Sequence, residues 1–144
     1  MAIRYQNILV AVDGSESAEK AFQNAIEIAK RDEAKLSIAH VIDTRNFSTF
    51  ELYDLASQRA EDFAKSLLNE YKEKAELAGV KNVETVVEYG SPKVKIAKTI
   101  APEVNADLIV CGATGLNAVE RLLIGSVSEH IARYAKCDVL VVRQ

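Results

Sequence analysis

Three glycines and a serine have the residue types and the spacing of a phosphate-binding site. Gly112, Gly115 and Gly125 lead directly into Ser126, with the spacing G-x2-G-x9-G-S. Glycine lets backbone N–H groups approach an anion, and a helix that opens at Ser126 adds unpaired N–H groups and partial positive charge. The same glycines could be turn residues that follow a strand, and spacing alone leaves both interpretations open.

A second polar turn, Asp13-Gly14-Ser15, follows the first apolar run of the chain. An acidic side chain at such a position can accept hydrogen bonds from ribose hydroxyls, although an Asp before Gly is equally typical of a plain turn. In doubly wound sheets, ligands sit beyond the carboxyl ends of the strands, where the winding reverses. Asp13 and Gly112 are therefore expected to meet if the strands that precede them are neighbours.

These turns are positioned by five apolar runs that alternate with four helical patterns. The runs predict strands at 7–12, 35–41, 83–88, 107–111 and 138–142. Because the runs are apolar on both faces, they favour a parallel sheet covered by helices. We expect a single α/β domain over residues 1–144, a doubly wound five-stranded parallel sheet with helices on both faces.

Capping and stop signals mark the helices. Ser15 or Ser17 can cap the first helix, while Ser48-x-x-Glu51 and Ser126-x-x-Glu129 have the capping-box pattern. Gly79 is expected to end the second helix, and the third, which opens at Pro92, is expected to end near Pro102. Two apolar helix faces are predicted, with Leu52, Leu55, Phe63, Leu67, Tyr71 and Ala78 on the second helix and Val127, Ile131 and Tyr134 on the last.

Composition, net charge and cysteine spacing argue against several classes of protein. A net charge of -3 argues against a protein that binds nucleic-acid phosphates. No apolar run approaches the roughly 18 residues of a membrane span, and the first residues lack a signal-peptide pattern, so a cytoplasmic protein without membrane contact is expected. Cys111 and Cys137 have neither a disulfide framework nor metal-ligand spacing, and both are interpreted as small buried hydrophobic residues.

The two turns together resemble the universal stress protein family. The resemblance runs from NILVAVDGS at the start to CDVLVVR at the end and includes the glycine motif with its nine-residue spacer. It implies the strand order 3-2-1-4-5 and binding of ATP. By this resemblance, Asp13 would contact the ribose and adenine side. The base would be walled by Ala11, Val12 and Val41, and the ribose and phosphates would be held by Gly112, Gly115, Gly125, Ser126 and Val127.

One position departs from the family pattern. The residue before Gly115 is often basic in the family, whereas here it is Thr114, which removes a charged partner for phosphate. Arg121 lies within the spacer and is interpreted as facing solvent. The expected consequence is an altered affinity rather than the loss of the site.

The sequence contains no recognisable catalytic arrangement or metal-ligand set. His40 and His130 have no paired spacing and are interpreted as structural. The leading hypothesis is an ATP-binding regulatory protein of the stress response with slow or no hydrolysis, in which Mg²⁺ could accompany the nucleotide. The alternatives are a weak Mg-dependent ATPase or phosphotransferase, and a dimeric interaction module with a vestigial nucleotide site.

The last strand, Asp138 to Val142, predicts an interface. Four of its five residues are apolar, and in the order 3-2-1-4-5 it lies at the edge of the sheet. An exposed apolar edge tends to pair with another chain, and two-fold pairing of identical edges gives a closed assembly. We expect a homodimer formed through this strand; coverage of the edge within a monomer is the alternative.

Overall fold

Five parallel strands form one sheet in the order β3-β2-β1-β4-β5, as expected. The computed structural model describes residues 4–44, 55–114 and 124–143. The strands are β1 (Asn7–Ala11), β2 (Lys35–Asp43), β3 (Val83–Gly90), β4 (Leu108–Gly112) and β5 (Asp138–Val142). The helices are α1 (Glu16–Asp32), α2 (Leu55–Ala78), α3 (Pro92–Lys95), a π-helical stretch (Ile96–Ile100), α4 (Ala101–Glu103) and α5 (Ser126–Tyr134).

The winding of the sheet reverses between β1 and β4. These strands are neighbours, with Val10 opposite Val110, although two strands and five helical segments lie between them in sequence. Alternate residues of each strand enter different cores: Ile8 and Val10 pack beneath α1 and α2, whereas Leu9 packs on the side of α5. The carboxyl ends of β1 and β4 therefore lie side by side, where such folds place their ligands.

Helix α1 follows from a cap and an apolar stripe. The Ser15 side chain accepts a hydrogen bond from the Ala18 N–H, and the helix ends at Glu33 in the left-handed conformation. Its buried apolar residues are Ala18, Ala21, Phe22, Ala25, Ile26 and Ala29. The Phe22 ring meets Tyr71 of α2 edge to face, with centroids 4.6 Å apart. The small alanines let α1 approach the sheet closely, while Phe22 fills the space beneath α2.

The apolar face of α2 differs from the one predicted. Phe63 is 52% exposed, and the buried positions are Ala64, Leu68, Tyr71 and Ala75. Tyr71 is buried as predicted, and Leu67 and Ala78 pack against the same core, so the prediction is wrong at Phe63, which was assigned to this face by hydrophobicity alone. Ser48, Glu51, Leu52 and the side chain of Leu55 lie outside the described residues. Gly79 ends the helix with φ of +108°, as predicted.

The helical segment 92–103 continues through Pro102. The Ala101 N–H pairs with the Ile96 carbonyl, five residues back, and this π-helical turn comes directly before the proline. A wider turn accommodates the N–H that proline lacks, because the usual i→i−4 ladder is already interrupted. The segment ends at Glu103, one residue beyond Pro102.

The edge strands are less covered than the three central ones. Val83 is the one fully buried residue of β3, and β5 has none, whereas β4 is buried from Leu108 to Cys111. The prediction that every strand is apolar on both faces is therefore wrong for β3, which carries outward glutamates. Within the described ranges, no helix is long and apolar enough to cross a membrane.

Candidate functional site

The turn after β1 satisfies its own polar groups. One carboxylate oxygen of Asp13 accepts the Ser15 N–H at 2.9 Å, and the Ser15 hydroxyl oxygen accepts the Ala18 N–H at 3.1 Å. Gly14 has φ of +86°, a conformation that favours glycine. Asp13 is half-buried, so its carboxylate is fixed by the turn and still reaches the surface at the crevice. The turn role and the ribose role are compatible.

Gly112, at the end of β4, touches the first turn of α1. A Cβ on Gly112 would lie 2.3 Å from the Ser17 Oγ and 2.7 Å from the Ser17 carbonyl carbon. No side chain fits at that separation, so this glycine is required by the approach of α1. Ser17 is fully buried, and its Oγ accepts the Thr114 N–H at 3.3 Å. The two turns therefore do meet, as the sequence predicted for neighbouring strands.

Helix α5 begins without a side-chain cap. Its N-cap residue is Gly125, with φ of -67° and ψ of 163°, and no side chain among the described residues caps its first turn. The predicted capping role of Ser126 is therefore wrong: Ser126 is the first helical residue and is exposed. The hydroxyl that a cap would offer is missing because glycine occupies the cap position. The first N–H groups of α5, with the positive end of the helix dipole, are available to an anion.

Ala113, the residue after β4, is buried and contacts the start of α5. The Ala113 carbonyl accepts the Gly125 N–H at 2.6 Å and the Ser128 hydroxyl at 2.9 Å. The Ala113 N–H donates to the Val142 carbonyl at 2.8 Å. Ala113 is therefore hydrogen-bonded on one side to the edge strand β5 and on the other to the start of α5.

The proposed base-binding residues lie on two faces of the sheet. Ala11 and Val41 pack on the α5 side, whereas the Val12 side chain is buried beneath α1 and α2. The Val12 carbonyl accepts a hydrogen bond from the His40 Nδ1 at 2.8 Å, which places the proton of that ring on Nδ1. The His40 ring also meets Phe63 edge to face, with centroids 5.9 Å apart. His40 therefore holds the end of β1, in agreement with a structural role.

Cations surround the middle of α5. The pKa of His130 is lowered, first by burial and then by the positive charges of Lys98, Lys93 and Arg133. The His130 ring packs against Tyr134 with centroids 4.5 Å apart, and Lys98 lies 5.0 Å from the Tyr134 ring centroid. Tyr134 is half-exposed and not part of a buried face, which corrects its predicted position. The face of α5 against segment 92–103 is thus electropositive in a chain of net negative charge.

Both cysteines are free thiols, and the predicted burial is confirmed for Cys111 and wrong for Cys137, which is half-buried. Cys111 is buried in β4, where desolvation raises the pKa of its thiol to about 12. Cys137 is half-buried, and burial followed by the charges of Asp138 and Asp107 raises the pKa of its thiol. No group of three or more His, Cys, Asp or Glu side chains in the described part of the chain could hold a metal ion.

The structure brings most of the predicted site residues to one edge. Asp13 and Gly112 lie at neighbouring strand ends, and Gly125, Ser126 and Val127 start the helix beside them. Gly115 and Arg121 lie outside the described residues. The hydroxyl of Thr114 is buried and has no hydrogen-bond partner among the described residues.

Two buried serines at this edge were missed by the sequence reading. Ser17 contacts Gly112 and Thr114, and Ser128 binds the Ala113 carbonyl. Ser17 was predicted only as an alternative cap of the first helix, and Ser128 was given no role. A signal existed: each serine lies in the first turn of a helix, at a position that must face the sheet if the helix packs there.

Comparison with known proteins finds a matching family, similar sequences and similar solved structures. A model of the "Universal stress protein family" matches residues 4–143. A Staphylococcus aureus protein named for that family is 58% identical over 142 residues, which cover 98% of this chain and 86% of that protein. The structure of universal stress protein UspA from Lactobacillus plantarum superposes with a TM-score of 0.88 at 34% identity, over 99% of this chain and 100% of the other. A universal stress protein crystallised in complex with cAMP superposes with a TM-score of 0.74 at 32% identity, over 98% of each chain.

Proposed function

This chain belongs to the universal stress protein family, and we propose that it binds ATP where β1 and β4 end. In this proposal it is a regulatory protein of the stress response whose state depends on nucleotide occupancy, and hydrolysis is slow or absent. The similar structure that holds cAMP supports an adenine nucleotide as the ligand class.

The start of α5 carries the proposal. Gly125 leaves the helix without a side-chain cap among the described residues, and its bond to the Ala113 carbonyl holds the helix start beside the end of β4. Phosphate oxygens would accept from these N–H groups at Ser126 and Val127, since anions are stabilised at helix N-termini. The absence of a Cβ at Gly125 keeps the backbone there open to the phosphates, while Gly112 lets α1 approach the end of β4. The Ala113 segment fixes this helix start against the sheet.

The remaining contacts follow the family pattern. Asp13 would accept from the ribose hydroxyls, which its half-buried carboxylate at the crevice permits. Ala11, Val12 and Val41 would line the base, with Val12 contributing through its backbone because its side chain is buried beneath α1 and α2. Gly115 would complete the phosphate contacts.

Slow hydrolysis is part of the proposal. Phosphoryl transfer requires positioned cations and a group that orients water, and the sequence contains no dedicated set of such residues. Mg²⁺ would be held chiefly by the nucleotide phosphates, as is usual for this ion. Phosphate release at saturating ATP and Mg²⁺ is expected below about 1 s⁻¹, the low end of ordinary enzymes. Faster, divalent-dependent release would favour the ATPase or phosphotransferase alternative.

Action in the cytoplasm is a further part of the proposal. Two unpaired cysteines are compatible with a reducing compartment, where disulfides rarely persist.

ATP should raise the thermal midpoint of the wild-type protein. A ligand that binds only the folded state stabilises it by about 2.7 kcal/mol at a hundredfold excess over its dissociation constant. Gly125→Val should remove most of this shift, because it places a side chain at the phosphate position. Leu77→Val, at an 89% exposed position of α2, is the control and should keep the full shift.

The quantity compared is the shift produced by ATP in each variant, since Gly125→Val also changes basal stability. A Cβ on Gly125 would lie 3.2 Å from the Ala113 carbonyl oxygen, so its neighbours must move slightly. An undiminished shift in Gly125→Val would contradict the phosphate assignment. A wild-type protein that does not respond to ATP would favour the interaction module with a vestigial site.

We further propose a homodimer formed through β5. This strand lies at the edge of the sheet, and Leu140 is 37% exposed. The Val142 carbonyl points toward the β4 side, where it accepts from Ala113, so strand alternation directs the backbone N–H of Val141 outward. An outward row of unpaired N–H and C=O groups favours pairing with the same strand of a second copy.

Val141→Pro tests this interface, because it removes an outward donor and clashes with a paired strand. Sedimentation at micromolar concentration should give twice the chain mass of 15.8 kDa for wild type and one chain mass for the variant. Circular dichroism checks that the variant stays folded. Wild type sedimenting as a single chain would rule out the β5 dimer.

A further inference from the structure

Ser128 occupies an unusual position for a helical serine at the edge of the crevice. It lies in the first turn of α5 and is 2% exposed. Its hydroxyl lies 2.9 Å from the Ala113 carbonyl oxygen and 3.0 Å from the Gly125 carbonyl oxygen. A serine hydroxyl has one proton, so these two carbonyls share a single donor. One side chain thus joins the end of β4 to the N-cap of α5 across fifteen residues of sequence.

Among the described residues, Ala113 is held by few other hydrogen bonds. The Ala113 carbonyl accepts from Gly125 and Ser128, and its N–H donates to Val142. The next residue, Thr114, donates its N–H to Ser17 at the longer distance of 3.3 Å. Without the Ser128 hydroxyl, the bond from the Gly125 N–H would be the one remaining hydrogen bond between Ala113 and α5 among the described residues. The direction in which the first N–H groups of α5 point would then be less well fixed.

We propose that Ser128 is a positioning residue of the nucleotide site, which orients the start of α5 toward phosphate by holding the Ala113 carbonyl. The inference rests on the proposed function and extends it, because Ser128 itself does not touch the ligand. Preorganised N–H groups bind an anion more tightly because less ordering is lost on binding. The effect should be confined to the phosphates, since Asp13 and the base-lining residues are held by β1 and β2.

Removing the Ser128 hydroxyl should weaken the binding of ATP much more than that of adenosine. In Ser128→Ala, ATP should bind about tenfold more weakly, as expected for loss of a buried hydrogen bond to the segment that orients the site. Adenosine, which lacks phosphates, should bind within about twofold of wild type, which is less than the effect of one net hydrogen bond. The ratio of the two affinities is a quantity that a purely structural serine would not change.

Two further variants and a control make the test specific. Ser128→Thr keeps a hydroxyl that can donate to the Ala113 carbonyl, so it should restore ATP affinity. Ser37→Ala removes another 2% exposed serine, in β2, and should lower stability without changing the ratio of affinities. If Ser128→Ala does not fold, Ser128→Cys takes its place, since it preserves the size and weakens the donor.

Isothermal titration calorimetry of the purified full chain with ATP and with adenosine gives these ratios. If Ser128→Ala or Ser128→Cys binds ATP as tightly as wild type, the inference is overturned while the proposed function stands. The same follows if either variant loses equal affinity for ATP and adenosine, or if Ser37→Ala loses as much ATP affinity as Ser128→Ala. A wild-type protein that binds neither ligand would overturn the proposed function, and the inference with it.

Discussion

Two helices begin at the same edge of the sheet, and their N-termini are satisfied differently. Helix α1 is capped by its own Ser15, and the turn before it is closed by Asp13. Helix α5 has glycine at the cap position and no side-chain acceptor, although a buried serine secures it to Ala113. Among the described residues, a side chain accepts one N–H group in the first turn of α1 and none in the first turn of α5. A helix start that is held in place and keeps N–H groups without a side-chain acceptor can bind an anion, whereas a capped one is less suited to it.

The glycines of the two turns should respond very differently to a methyl group. Gly112→Ala would place Cβ 2.3 Å from the Ser17 Oγ and should destabilise the fold by roughly 3 kcal/mol through overpacking. Gly14→Ala meets nothing closer than 3.7 Å and should cost about 1 kcal/mol, because of its positive φ. Urea unfolding of both variants measures the two values. Equal losses would show that Gly112 is not held by the approach of α1.

The two serines that appear to be caps in the sequence should also differ. Ser15→Ala removes a true N-cap and should lower the free energy of unfolding by about 1 kcal/mol, with the ATP-induced shift retained. Ser126→Ala removes an exposed hydroxyl that caps nothing and should change stability by less than about 0.5 kcal/mol. Thermal unfolding with and without ATP distinguishes them. A larger loss in Ser126→Ala would show that the α5 start is capped after all.

Lowering the pH should reduce the stability of the protein in two separate ranges, one set by His130 in α5 and the other by Asp32 at the end of α1. The lowered pKa of His130 means that the unfolded chain takes up a proton near 6.5 while the folded chain resists it, so stability falls as pH drops below 6.5. Asp32, at the end of α1, has its pKa lowered to about 2 by its hydrogen bond to Arg31 and by the Tyr5 N–H. Its contribution is present above its ordinary pKa of 3.8 and is lost as pH falls toward 2.

His130→Gln and Asp32→Asn separate the two ranges. Urea unfolding across acidic pH should show a smaller decrease near 6.5 in the first variant and a smaller decrease below 3.8 in the second. If the decrease in stability near pH 6.5 is unchanged in His130→Gln, a group other than His130 causes it.

Most of the fold could be predicted because it depends on local patterns. The five strands were found with their ends wrong by at most two residues, and β5 was located correctly from Asp138 to Val142. The turn residues Asp13 and Gly112 were expected to meet, and they lie at neighbouring strand ends. Alternating strands and helices leave few arrangements for a chain of this length, so these features follow from sequence.

The features that were missed depend on contacts between distant parts of the chain. Ser126-x-x-Glu129 matches a capping box, but the start of α5 is set by Gly125 and by Ser128 bonding to Ala113. Ser17 and Val142 are 125 positions apart, and a periodic pattern contains no information about such a pair. The exposed Phe63 shows the same limit, since hydrophobicity alone does not determine which side of α2 meets the sheet.

The central claim is that nucleotide phosphates bind at the start of α5 and not at the start of α1. Backbone amide NMR shifts of the ¹⁵N-labelled protein, titrated with ATP and separately with adenosine, test it directly. Shifts that ATP causes and adenosine does not should be largest at Gly125, Ser126 and Val127 and small at Ser15 and Glu16, whose helix is already capped. Phosphate-dependent shifts concentrated at Ser15 and Glu16, with the α5 amides unmoved, would contradict the account.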